Sequence, residues 1–204
     1  MEKQYSSKDI QSLTAREQVR KRPGLYFEKC FRDNSLNSLP LEAACHAIDE
    51  VYDHQCNKIE FVLFKDHFSV TYNAGMPMSR IDGTYKAELI MTAIFACRNH
   101  KKHLAVGEEF CELGIATINF CSEYCHLTTV SKGAKGVFQF QKGLLVNREI
   151  FHDQNQEDYT AIMMKPDKEI FGNLGFDFSG VKEAVDRLQG RFKAVEIRII
   201  DTTE

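Results

Sequence analysis

The sequence has no Cys-x-x-Cys pair, only four prolines in 204 residues, no internal repeat and no Pro/Gly/Ser-rich linker. So few chain breakers, with no linker between runs, predict one compact unit over residues 1–204 with a short tail at 1–13. Seven cysteines, at 30, 45, 56, 97, 111, 121 and 125, make an odd set, and several fall in apolar runs such as "IFAC" and "INFCSEYC". They read as reduced thiols of a cytoplasmic protein. Cys121 and Cys125 stand four apart, but no second ligand pair follows, so no metal is expected. The first ten residues, "MEKQYSSKDI", lack the apolar core of a secretory leader. No apolar run approaches membrane-spanning length. A net charge of −3 gives no global attraction to nucleic acid or anionic lipid. Basic residues gather once, at Arg16, Arg20, Lys21 and Arg22. At helical spacing that run favours a solvated face over a phosphate track.

What is present is strong periodicity. Residues 14–22, "TAREQVRKR", predict a helix that stops at Pro23-Gly24, and the polar stretch 25–39 predicts a loop. Residues 40–54, "PLEAACHAIDEVYDH", predict the clearest helix, with proline in its first turn. Leu41, Ala44, Cys45, Ile48, Val51 and Tyr52 form its buried stripe, and Glu42, His46, Asp49 and Asp53 a second, polar stripe. "KIEFVLF" and "HFSVTY" predict a strand pair around Lys65-Asp66. Helices follow at 85–98 and 112–124. The period then falls to two in "HLTTVSK", "VFQFQKG", "LLVNREI", "YTAIMMK" and "VEIRII", with turns at Lys132-Gly133 and Lys142-Gly143. A last helix spans 179–192 with Ser179 as its cap. Early helices and later meandering, mostly antiparallel strands predict an α+β two-layer sandwich.

The order of these pieces resembles one family. "REQVRKRPGLYF" (16–27) is similar to the N-terminal signature of the type II topoisomerase ATPase domain, most closely that of the DNA gyrase B protein. "LEAACHAIDEVYDHQCNKI" (41–59) is similar to that family's first helix and following strand. "VTYNAGMP" (70–77) resembles its V-x-D-N-G-R-G-I-P loop, and "AELIMTAIFA" (87–96) its A-E-x-x-x-T-x-L-H-A helix. "GIATINFCS" (114–122) resembles the lid helix, and "YTAIMMKPD" (159–167) the G-T-x-x-x-F-x-P-D strand. The matches are collinear from about residue 14 to 200. The resemblance implies the GHKL, or Bergerat, ATP-binding fold, a mixed, mostly antiparallel sheet covered on one face by helices. It also implies that no transducer, TOPRIM or DNA-cleavage domain lies within these residues, so direct DNA cleavage is not expected.

The resemblance carries site roles residue by residue. Glu42 falls at the general base that activates water, the one catalytic candidate, and a carboxylate suits that task. His46 falls where the family holds Mg²⁺ with Asn; Mg²⁺ takes hard oxygen ligands and imidazole suits softer metals. A Glu42–His46 surface pair is the other reading of that helix face. Tyr72 falls at the Asp that recognises the adenine amino group, and a phenol either accepts that bond or fills the pocket. Asn73 offers an amide oxygen in its place. Gly75 and Met76 match the adenine wall, Lys132 a basic pocket edge and Thr160 the adenine-contacting Thr; Asp49 and Ile94 complete the pocket by the same resemblance. The phosphate lid keeps only Gly107 and Gly114 of its glycines and gains Glu108, Glu109 and Glu112. Carboxylates there oppose a triphosphate and favour a helix start for the same electrostatic reason that phosphate does. They read either as a built-in cap on the anion site or as an exposed acidic loop.

The expected function is therefore a stand-alone gyrase-B-like domain with a degenerate site, a pseudo-ATPase that works as a binding or regulatory module. The alternative is an ATP-binding protein with altered hydrolysis that relies on Glu42. ATP and Mg²⁺ are the cofactors the resemblance implies and the substitutions argue against. The expected partner is a protein or a second copy of this chain, gyrase B proteins included, with no membrane.

Overall fold

The computed structural model describes residues 12–94, 111–152 and 155–203. It is an α+β sandwich built on a seven-stranded sheet of order β7-β6-β5-β8-β2-β1-β9. The strands are β1 Lys58–Phe64, β2 Phe68–Tyr72, β5 Ser122–Ser131, β6 Ala134–Gln141, β7 Leu144–Phe151, β8 Tyr159–Pro166 and β9 Glu196–Thr202. All neighbours run antiparallel except β1 and β9, which pair in parallel from Lys58↔Glu196 to Phe64↔Thr202. Alternation puts Ile59, Phe61 and Leu63 of β1, Val70 and Tyr72 of β2, and Ile162 and Met164 of β8 on one buried face. The turns at Lys132-Gly133 and Lys142-Gly143 both take positive φ throughout, the geometry that matches strand twist in two-residue hairpins. The sequence pattern does not show a two-stranded hairpin, β3 Arg80–Ile81 with β4 Thr84–Tyr85; its strands are too short to carry a period.

The helices are α1 Ala15–Lys21, α2 Pro23–Tyr26, α3 Glu28–Arg32, α4 Leu39–Ala43, α5 Cys45–Tyr52, α6 Lys86–Thr92, α7 Ile115–Phe120, α8 Lys168–Phe171 and α9 Phe178–Arg191. Several depart from the sequence reading. Of the expected loop 25–39, residues 25–32 are instead mostly short helical turns, α2 and α3, started by Pro23 at a first helical position. The helix expected over 40–54 divides at Ala44, whose ψ of 3° breaks the ladder between α4 and α5. The one expected over 85–98 ends at Thr92, where Ala93 turns extended; residues 95–98 lie outside the described residues. That expected over 112–124 is only α7, because Ser122 onward joins β5 beside β8. The cap of α9 is Asp177, accepting from the Gly180 N–H, and not Ser179.

The Thr14–Glu17 capping box starts α1. From it Arg20, largely buried, donates to the Phe120 carbonyl at 2.8 Å and to the Asp167 carboxylate at 2.7 Å. Arg16 donates to the Lys142 carbonyl, and Lys142 pairs with Glu169. Part of the basic cluster thus ties α1 to α7, to the β6–β7 turn and to α8. Asp167 also caps α8 through the Glu169 N–H. Replacing Asp167 with Ala is expected to lower unfolding free energy by about 3 kcal/mol, since it takes the near carboxylate from a largely buried guanidinium, which keeps the Phe120 carbonyl and Glu169 at 3.5 Å, and removes the cap of α8. Lys182→Ala, which breaks an exposed pair on α9, is expected to cost about 0.5 kcal/mol or less. Urea midpoints at neutral pH, read by circular dichroism, test both.

Candidate functional site

The expected polar stripe is not a solvated face: Glu42, His46 and Asp49 are all buried. Glu42 does not pair with His46. Its Oε1 accepts from the Glu112 N–H at 3.1 Å, and its Oε2 from the N–H groups of Leu113 at 2.8 Å and Gly114 at 3.5 Å. The Cys45 thiol lies 3.9 Å from Oε2. Gly114 makes this possible, because its φ of +77° turns consecutive N–H groups inward at the start of α7. Burial pushes the Glu42 carboxyl above its usual range, and the N–H bonds oppose but do not outweigh it. The carboxylate at this helix start is therefore that of Glu42, not of Glu112, which contributes its backbone. Gly107, Glu108 and Glu109 lie outside the described residues.

His46 and Tyr72, expected to face one ligand, face each other. The Tyr72 hydroxyl lies 3.1 Å from His46 Nδ1, and both side chains are almost fully buried. On the other ring edge, Nε2 lies 3.5 Å from the Glu50 carboxylate. A carboxylate only accepts, so Nε2 carries the proton and Tyr72 donates to Nδ1. Desolvation lowers the His46 pKa to about 4, which keeps the ring neutral near pH 7.

The following loop is clamped from the sheet. Thr129 and Thr160 stand opposite each other on β5 and β8, their hydroxyls 2.9 Å apart. The Met76 N–H donates to Thr129 at 2.8 Å and more weakly to Thr160 at 3.2 Å, while Thr160 donates to the Ala74 carbonyl at 2.8 Å. Gly75 lies so close to β5 that a Cβ there would meet the Val130 carbonyl at 2.1 Å. Met76 is buried, and Ile94 packs half-buried against the core. Asn73 points elsewhere: its amide oxygen accepts from the N–H groups of Asn57 at 3.1 Å and Lys58 at 2.9 Å, pinning the start of β1. A cavity of about 550 Å³ remains outside the clamp, bounded by Glu50, Asn73, Gly75, Lys132 and Asp158. Lys132 is exposed at its rim, with its N–H on Asp158 at 2.8 Å.

The structure thus joins Glu42 with Gly114, His46 with Tyr72, and Met76 with Thr160, and leaves Asn73 outside these pairs. Glu50 and Thr129 escaped the sequence reading. Glu50 is four residues beyond His46, and Thr129 is an inward position of a period-two strand, so spacing alone could have found both. Among the described residues no three His, Cys, Asp or Glu side chains gather to hold a metal ion, and no helix is long and apolar enough to cross a membrane.

The chain is similar along almost its whole length to the B protein of DNA gyrase. It is 28% identical to that of Archaeoglobus fulgidus over 209 residues, which cover 98% of this chain and 33% of the relative. It is 27% identical to that of Rickettsia typhi over 207 residues, covering 98% and 26%. With that of Clostridium acetobutylicum it shares 28% over 203 residues, covering 97% and 32%. The chain spans about a quarter to a third of the length of these curated relatives. No family model matches it.

The His46 geometry sets a pH dependence. Its folded pKa lies below the ordinary imidazole value, so the unfolded chain binds the proton more readily. The corresponding stability is full above about pH 6.5 and drains as pH falls toward about 4, a loss on the order of 3 kcal/mol. In urea titrations from pH 7 to 4.5, His46→Gln is expected to show a shallower fall than the parent.

Proposed function

We propose that the chain is a gyrase-B-like GHKL domain whose nucleotide site is degenerate, a pseudo-ATPase that serves as a binding or regulatory module. The observation that carries this reading is the buried Tyr72–His46 hydrogen bond. By the resemblance, these two positions supply the adenine acceptor and the Mg²⁺ ligand. Here each side chain satisfies the other, and the bulk of both fills the space between α5 and β2. Neutral imidazole, already hydrogen-bonded at Nδ1, is a poor ligand for Mg²⁺. The hydroxyl of Thr160 is spent on Ala74, and the amide of Asn73 on β1. Glu42, which stands at the family's general base, is spent on the backbone of residues 112–114. A γ-phosphate brought to that helix start would face the buried carboxyl group of Glu42 instead of open N–H groups. If the lost hydrolysis is the rule, the retained fold serves recognition, and the partner is a protein or a second copy of the chain.

Calorimetric titration of ATP and ADP, with and without Mg²⁺, tests the reading. The expected outcome is no heat at millimolar nucleotide, which means binding weaker than about −4 kcal/mol. The double variant His46→Asn/Tyr72→Asp restores the family residues and is expected to gain affinity by about tenfold or more, some 1.4 kcal/mol. Micromolar binding by the parent, with phosphate release that Glu42→Ala abolishes, sinks the proposal and makes the chain a working ATPase.

A further inference from the structure

A smaller pocket shares no lining residue with the nucleotide-like cavity. It measures about 270 Å³ and lies where the β1–β2 turn, the end of β8, α8 and the loop 172–176 before α9 converge. Leu36, Pro166, Phe171, Leu174 and Phe176 give it an apolar lining. Leu36, Pro166 and Phe171 are buried, and Leu174 and Phe176 are half-buried.

The walls are fixed before any ligand enters. Phe171 meets Phe27 edge to face, ring centroids 5.1 Å apart, and Phe176 meets Phe68 in the same way at 5.7 Å. The loop is held at both ends. The Gly172 N–H donates to the Lys168 carbonyl at 2.9 Å, and that of Leu174 to the Phe171 carbonyl at 3.2 Å. Further on, the Gly175 carbonyl accepts from the Leu36 N–H at 2.9 Å, and the Asp177 N–H donates to the Asn37 amide oxygen at 2.8 Å. A preformed site costs little ordering when it is filled.

The charges at its mouth are unbalanced. Lys65 from the β1–β2 turn and Lys168 from the start of α8 both line the pocket and are exposed. Among the described residues neither ammonium is in an ion pair. The one carboxylate among the described lining residues is Asp66, which is engaged by His67 Nδ1 at 2.9 Å and by the Lys165 ammonium at 3.3 Å. The N–H groups of Asn173, Gly175 and Phe176 also have no protein acceptor among the described residues. In a chain of net charge −3, two cations without a counter-charge thus stand beside an apolar lining.

We infer that this pocket binds a small apolar carboxylic acid, an aryl or branched acyl anion, with its carboxylate at Lys65 and Lys168 and its apolar part on Phe171, Leu174 and Phe176. A volume of about 270 Å³, roughly half that of the cavity beside Gly75, suits a group of side-chain size and not a nucleotide. Apolar contact supplies affinity, and the two ammonium groups select the anion over its neutral or cationic analogue. The site shares no residue with the Tyr72–His46 pair, so it stands or falls separately from nucleotide binding.

The test titrates phenylacetate and isovalerate into the isotope-labelled full chain and follows the backbone amides by NMR. Saturable shifts at about millimolar ligand are expected at residues 172–176, Lys65 and Asp66, with Gly75 and Met76 unmoved. Phenylacetamide and phenethylamine, which keep the ring and lose the anion, are expected to bind about tenfold or more weakly. Lys65→Met/Lys168→Met, which keeps the apolar stems, is expected to weaken both acids by about tenfold, and Leu174→Ala by about fivefold. Lys182→Met, which removes an exposed charge on α9, is expected to leave binding unchanged. Amide spectra that match the parent outside the pocket establish that the variants fold. Equal affinity for phenylacetamide, indifference to the double lysine variant, or no saturation by about 10 mM acid overturns the inference. So do equally tight binding of inorganic phosphate at the same amides and shifts at Gly75 and Met76 in place of 172–176. Acetylated Gly-Gly-Phe with a free carboxylate that binds tenfold tighter than phenylacetate also overturns it, because the pocket then belongs to the chain end of a partner protein.

Discussion

A carboxylate taken out of water needs donors, and Glu42 finds its backbone donors in one segment. That requirement organises the helical layer. It draws the chain at 112–114 down onto α4, and so sets where α7 begins. From there α7 carries Phe120 to the Arg20 guanidinium, and Arg20 carries α1 to Asp167 at the end of β8. Two buried groups of opposite sign, Glu42 at one end of α7 and Arg20 at the other, hold that short helix against both its neighbours. Each matches the sign of the helix end it meets, the carboxylate at the N–H end and the guanidinium at the carbonyl end.

The same economy of polar groups explains the pocket. Buried donors and acceptors must be paired, by a ligand or by the protein. At Tyr72, His46, Thr160 and Ala74 the pairing is internal. At these residues the paired groups need no ligand to be satisfied. Tyr72 and His46 therefore depend on each other. A phenol alone at this position buries a hydroxyl without a partner, and an imidazole alone buries a ring nitrogen in the same state.

The sheet was the most legible part of the sequence, because a period of two survives wherever one face is buried: β1, β2, β8 and β9 stood out within a few residues of their ends. Helix ends were less legible. Nothing in "LEAACHAI" marks the break at Ala44, a residue with high helix propensity that tertiary packing overrules. The run 112–124 satisfies a helical spacing, yet Ser122 to Tyr124 are taken by pairing with β8, which lies far along the chain. At the site, residue types were legible and orientations were not. Asn73 and Tyr72 are adjacent, and only the strand pleat decides that Tyr72 enters the core while Asn73 turns back to β1. The partnership of Tyr72 with His46 spans 26 residues and two elements, a contact that no local pattern encodes.

The parallel pairing of β1 with β9 has a kinetic consequence. Every other neighbour in the sheet except β2 with β8 and β5 with β8 is joined by a hairpin turn, but β9 must find β1 across much of the described chain. Closing so large a loop costs entropy before any contact repays it, which slows folding. During synthesis, β1 can pair with β2 early while its other edge stays bare until residues 196–202 emerge. The alternating apolar row Ile59, Phe61 and Leu63 then sits beside an unpaired strand edge, the kind of surface that seeks another chain. The bare edge of β1 is thus covered only when β9 arrives, and the rate of that step sets how long the edge can recruit another chain.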